Sequence, residues 1–298
     1  MSATPHITAR HIEEAGRTGH LAWSRWEPVP AQGDDGTSPL PTVLLHGASS
    51  SRRSWLSLMP ALTGRLVVAV DVRGHGDSAF PDGPLDRADV SLDIAAVLDD
   101  LDLARTAVIG GSLGAALAVN LSVQRPDLVA GLILEDPPLR AGTEPASYLQ
   151  EMRENLSRAA ALTPAQLRDE VRQTMPGASE EEIRIVAEDR AKFDPRFVDY
   201  GLDWFVRPWR EIFAEAAFPI TVLAGDPERG SVVSPQEEME CVRLLGRANV
   251  CRISGAGHSI RKDAPTAYAQ AITAALDGID ATIRSGSAVI GNPRPDKA

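Results

Sequence analysis

Cysteine is nearly absent. The chain of 298 residues holds two, Cys241 and Cys251. That excludes a framework of several disulfides, and no Cys-x-x-Cys or His-x-x-Cys pattern near them points to zinc. Both read as reduced thiols acting as small apolar groups, the first in an expected helix and the second in an expected strand. Aromatic residues are scarce at 5%, so the core is expected to be aliphatic. No run of ~18 apolar residues is present, which argues against a membrane-spanning helix. The first twenty residues lack the apolar stretch of a signal peptide. Basic residues are outnumbered, 30 Lys and Arg against 41 Asp and Glu, for a net charge of −11. Nucleic acid and anionic membranes are therefore not expected partners. These absences describe a cytoplasmic protein, monomeric or homodimeric. A chain this long can bury roughly three quarters of its unfolded surface without a metal or disulfide staple.

What is present is an alternation of strands and helices. Residues 7–26 alternate in character and are broken by Gly16 and Gly19, which predicts a hairpin. "TVLLHG", "RLVVAVDV", "TAVIGG", "AGLILED", "FPITVLAGD" and "NVCRISG" are short apolar runs. Helical periodicity falls between them: Ile94, Val97, Leu98 and Leu101 recur at i, i+3, i+4, i+7. Continuous apolar strands alternating with helices predict an α/β fold, with a mostly parallel central sheet covered on both faces. From Leu139 to Ala217 no strand is legible. Thr163 to Gln166 and Ser179 to Glu182 each read as a helix-starting capping box. The expected division is an α/β core over 1–138 and 218–284, a helical insertion over 139–217, and a disordered tail over 285–298.

The chemistry gathers around Gly110-Gly111-Ser112-Leu113-Gly114. The glycine–serine–glycine spacing alone is weak. Here a strand precedes it and a helix follows, as a sharp strand-to-helix elbow requires. A serine hydroxyl needs an adjacent base to act as a nucleophile at neutral pH. Of six histidines, His6, His11 and His20 lie in the N-terminal arm. His258 follows the last strand in a loop of small residues and is the candidate base. Two carboxylates, Asp226 and Glu135, end strands and could orient it. Asp136 and Glu228 are weaker candidates.

Together the elbow, "LLHG", "DVRGHGDS" and "GAGHS" resemble the α/β-hydrolase superfamily, from about residue 20 to about 280. The resemblance implies an α/β-hydrolase fold with the insertion as a helical cap, and it supports the order serine, acid, histidine. It favours Asp226 over Glu135 as the acid. It further implies an oxyanion hole from the amides of Ala48 and Leu113, with His46 and Gly47 beside the substrate and His75 structural. Cap aromatics Trp204 and Trp209 could line the pocket, although Trp209 and Phe213, at i, i+4, suit the cap's own core. Trp55, Leu56 and Met59 are equally ambiguous. The expected activity is cleavage of a small-molecule carboxylic ester through an acyl-enzyme, with no cofactor and no metal. A C–C hydrolase, a lactonase, a perhydrolase and a non-catalytic ligand receptor are the alternatives.

Overall fold

The computed structural model describes residues 11–28, 38–80, 82, 87–139, 146–175, 177–199, 205 and 207–286. His6, Trp204 and the tail from 287 onward lie outside the described residues. The predicted hairpin is β1 (His11–Thr18) and β2 (Leu21–Pro28), paired antiparallel around Gly19 at φ 55°. Six further strands follow: β3 (Thr42–Leu45), β4 (Val67–Val70), β5 (Thr106–Gly111), β6 (Val129–Glu135), β7 (Ile220–Ala224) and β8 (Val250–Arg252). The sheet order is β1-β2-β4-β3-β5-β6-β7-β8. Strands β4 through β8 and β3 run parallel, and β2 joins β4 antiparallel.

The apolar runs are continuous because both faces are covered. On one side Val43, Leu45, Val68, Val70, Val108, Leu132 and Leu134 pack in a single core. It is covered by α1 (Arg87–Asp100), α2 (Leu113–Gln124) and α8 (Pro235–Leu245). The alternate residues Leu44, Val67, Ile109 and Ile133 pack on the other side. There they meet Tyr268, Ile272, Leu276 and Ile279 of α10 (Pro265–Ser285). Truncating any of these buried leucines or isoleucines to alanine is expected to cost about 2–5 kcal/mol.

The helical insertion comprises α3 (Ala146–Ala161), α4 (Pro164–Thr174), α5 (Glu180–Lys192) and the short α6 (Arg196–Asp199). Both predicted capping boxes are present, Thr163 with Gln166 and Ser179 with Glu182. Leu167, Val171, Ile183 and Ala187 form the insertion's own small core. The next helix, α7 (Trp209–Glu215), does not belong to that core. Its Trp209, Ile212 and Phe213 are buried with the sheet-covering residues. Among the described residues no helix is long and apolar enough to cross a membrane.

The order β4-β3-β5 locates a site. The chain leaves β3 for β4 on one side, then returns to lay β5 on the other. The connections diverge at the carboxyl ends of β3 and β5, and such a switch point leaves a crevice that open α/β sheets use for ligands.

Candidate active site

The crevice is framed by the turns leaving β3 and β5. The β5 turn carries Ser112 at φ 51° and ψ −114°, a backbone state that side-chain-bearing residues rarely adopt. Its neighbours permit this by lacking side chains. A Cβ on Gly114 would lie 2.0 Å from the Leu45 carbonyl oxygen, and one on Gly110 would lie 2.3 Å from that of Gly114. The two glycines thus let α2 start hard against β3. Leu113 is the first helical residue of α2, and first-turn amides have no partner within their own helix. They add the positive end of the helix dipole next to Ser112.

The turn after β3 is set by His46, which is fully buried. Its Nε2 accepts from the Val72 N–H at 2.9 Å, so the ring proton is on Nδ1, which donates to the Gly47 carbonyl at 2.8 Å. Burial, the largest effect, lowers the ring to about pH 4 and keeps it neutral. The peptide is trans, so fixing the Gly47 carbonyl also fixes the Ala48 N–H, which points the opposite way. Behind His46 lies His75, its ring centroid 5.2 Å away. His75 in turn packs on Phe193 and Phe197, which follow α5, at 4.5 and 5.0 Å. His75 is also buried, and desolvation lowers it to about 3.

His258 comes from the loop after β8. Its Nε2 lies 3.0 Å from Ser112 Oγ, so the predicted serine and histidine do meet. The predicted acid does not join them. His258 Nδ1 sits 2.6 Å from Oδ2 of Asp136, the first residue beyond β6. Asp136 is fully buried, in a left-handed conformation at φ 42°. Its carboxylate also accepts from Ser231 Oγ at 2.5 Å and the Val232 N–H at 2.8 Å. Asp226 instead accepts the Gly255 N–H at 2.7 Å and shapes the loop that carries His258. Glu228 is exposed in the turn beyond it.

Glu135, the alternative acid, also has another engagement. Its carboxylate accepts from the Arg261 guanidinium at 2.6 Å, the Arg261 N–H at 3.1 Å and the Tyr268 hydroxyl at 3.3 Å. Adjacent residues at the end of β6 therefore grip the same loop, Asp136 through the imidazole and Glu135 three residues further on. From the sequence Asp136 ranks below Asp226 and Glu135, because the family resemblance puts the acid at those two positions. Only the position of the histidine loop decides between them.

A cleft of about 300 Å³ opens over Ser112. Gly47, Ala48 and Ser49 line one wall, and Val186, Asp189 and Arg190 of α5 another. His258, Arg261 and Lys262 complete it. The insertion therefore borders Ser112. Trp209 is buried away from this cleft against Phe213, with ring centroids 5.2 Å apart, so it does not line it. Trp55 is buried beneath the Arg261 guanidinium, 4.5 Å from the ring centroid, while Leu56 is exposed.

Residues 42–271 match a family model described as Alpha/beta hydrolase family. A mouse protein named sn-1-specific diacylglycerol lipase ABHD11 is 30% identical over 266 residues, covering 81% of this chain and 83% of that one. Its zebrafish counterpart is 26% identical, over 78% of this chain and 77% of that one. Among solved structures, an E-2-(acetamidomethylene)succinate hydrolase superposes with a TM-score of 0.70 at 22% identity, over 90% of this chain and 99% of its own. An esterase from Thermogutta terrifontis gives 0.67, also at 22%, over 91% and 100%. At these identities the two structures speak for the fold alone.

Proposed function

The chain belongs to the alpha/beta hydrolase family, and from that premise we propose that it is a serine hydrolase of carboxylic esters. The observation that carries this reading is the unbroken hydrogen-bonded series Ser112–His258–Asp136, ending on a serine in strained backbone. Ser112 Oγ attacks the ester carbonyl while His258 Nε2 takes its proton. Asp136 holds the ring with its proton on Nδ1 and stabilises the imidazolium that forms. Charge developing on the carbonyl oxygen is received by the Ala48 and Leu113 amides, the first aimed by His46 through Gly47. His258 then returns the proton to the departing alcohol oxygen. The acyl group stays on Ser112. Water, deprotonated by the same imidazole, attacks that acyl-enzyme, releases the acid and restores the hydroxyl.

The relatives named as lipases act on ester bonds by their names, which supports the choice of ester over other acyl substrates. The deciding experiment joins turnover of a 4-nitrophenyl ester to fluorophosphonate labelling read by peptide mass. Turnover with modification at Ser112 is the expected result. Folded protein that neither turns over nor becomes labelled at Ser112 would overturn the reading.

A further inference from the structure

The cleft over Ser112 is unusually cationic for a protein with a net charge of −11. Arg190, Arg261 and Lys262 line it, facing Glu135 and Asp189. Glu135 is held by Arg261 at 2.6 Å, and Asp189 Oδ1 by Arg53 at 2.8 Å, a guanidinium that also holds Glu188 at 2.7 Å. Arg190 reaches Glu170 only at 3.8 Å, and Arg158 also draws on that carboxylate, at 3.4 Å. Among the described residues Lys262 has no ion-pair partner and Arg190 has only this long, shared contact, and both line the cleft with Ser112. Among the described residues the only branched aliphatic side chain lining it is Val186.

We infer that this site selects esters whose acyl part carries a second, anionic oxygen group, received by Lys262 and Arg190. The inference rests on the hydrolase reading above. Lys262 is exposed by area yet borders the cleft. Desolvation there, followed by the nearby Arg261 and Arg190, lowers its ammonium to about 8. Arginine beside lysine suits a carboxylate or a phosphonate, since one offers a planar fork and the other a point charge.

The test compares the 4-nitrophenyl monoester of glutaric acid with its methyl-capped, neutral analogue. A 4-nitrophenyl 4-phosphonobutanoate distinguishes phosphonate from carboxylate. The wild type is expected to favour an anionic probe over the neutral one by about tenfold in kcat/KM, chiefly through KM. That ratio should collapse toward one in Lys262→Met and in Arg190→Met, persist in Lys262→Arg and invert in Lys262→Glu. Because each enzyme is its own control, the ratio is insensitive to partial unfolding. Equal cleavage of anionic and neutral probes by the wild type overturns this inference alone, as does a ratio untouched by both methionine variants. Absence of any turnover together with an unlabelled Ser112 overturns the hydrolase reading first.

Discussion

Holding Ser112 at φ 51° costs on the order of 1–3 kcal/mol, a strain the surrounding turn must impose. The return is a hydroxyl presented to His258 Nε2 with little side-chain bulk beside it. Ser112→Ala should abolish both ester turnover and fluorophosphonate labelling while leaving the unfolding transition in place. The two strand-end aspartates give a sharper comparison. Asp136→Asn removes the charge that stabilises the imidazolium and should lower kcat by about 10³–10⁴. Asp226→Asn keeps an oxygen for the Gly255 N–H and should stay within about threefold of wild type, as substitutions that preserve a contact usually do. Equal losses in the two variants, measured on one aryl ester, would refute this division of roles. That Ser112 and His258 come together was legible in the sequence because each sits in a turn whose glycines announce it. The carboxylate that His258 meets was not, because that depends on which strand end the His258 loop descends upon.

At the level of elements, β6 and the loop after β8 are joined twice, by Asp136 to His258 and by Glu135 to Arg261. Neutralising one partner of a buried pair leaves the other charge without compensation, at a cost of about 3–5 kcal/mol. Glu135→Gln is therefore expected to lower the urea midpoint and to loosen the placement of His258, reducing kcat together with stability. Unchanged stability would show that the pair contributes little. Strands and most helices were readable from sequence because a sheet covered on both faces demands uninterrupted apolar runs. The allegiance of α7 was not. Trp209 and Phe213 have the spacing of an amphipathic helix either way, and which core they bury against is a tertiary matter that local periodicity does not encode.

For the whole molecule, acid sensitivity follows from His46 and His75, whose folded states resist protonation down to about 4 and about 3. Unfolded histidine titrates near 6.5. Between those values the unfolded chain binds more protons, so stability falls as pH drops below about 6.5 and continues falling to about 4 for His46 and about 3 for His75. Chemical denaturation should find a loss of about 2 kcal/mol for each ring between pH 7 and pH 5. His75→Gln should flatten that slope, and a slope identical to wild type would assign the acid loss elsewhere. His75 touches the oxyanion-side histidine and the phenylalanines after α5 alike. Acid should therefore weaken the hold of the insertion and of the β3 turn together.

The packing of Gly110 and Gly114 against their neighbours' carbonyl groups separates two kinds of tolerance within five residues. A methyl at either flank would have to displace main chain from the centre of the sheet. Position 112 has no such confinement. Anyone wishing to rewire this reaction, for instance by exchanging the hydroxyl for a thiol, has one address at which the chain can accept new atoms, between two at which it can accept none.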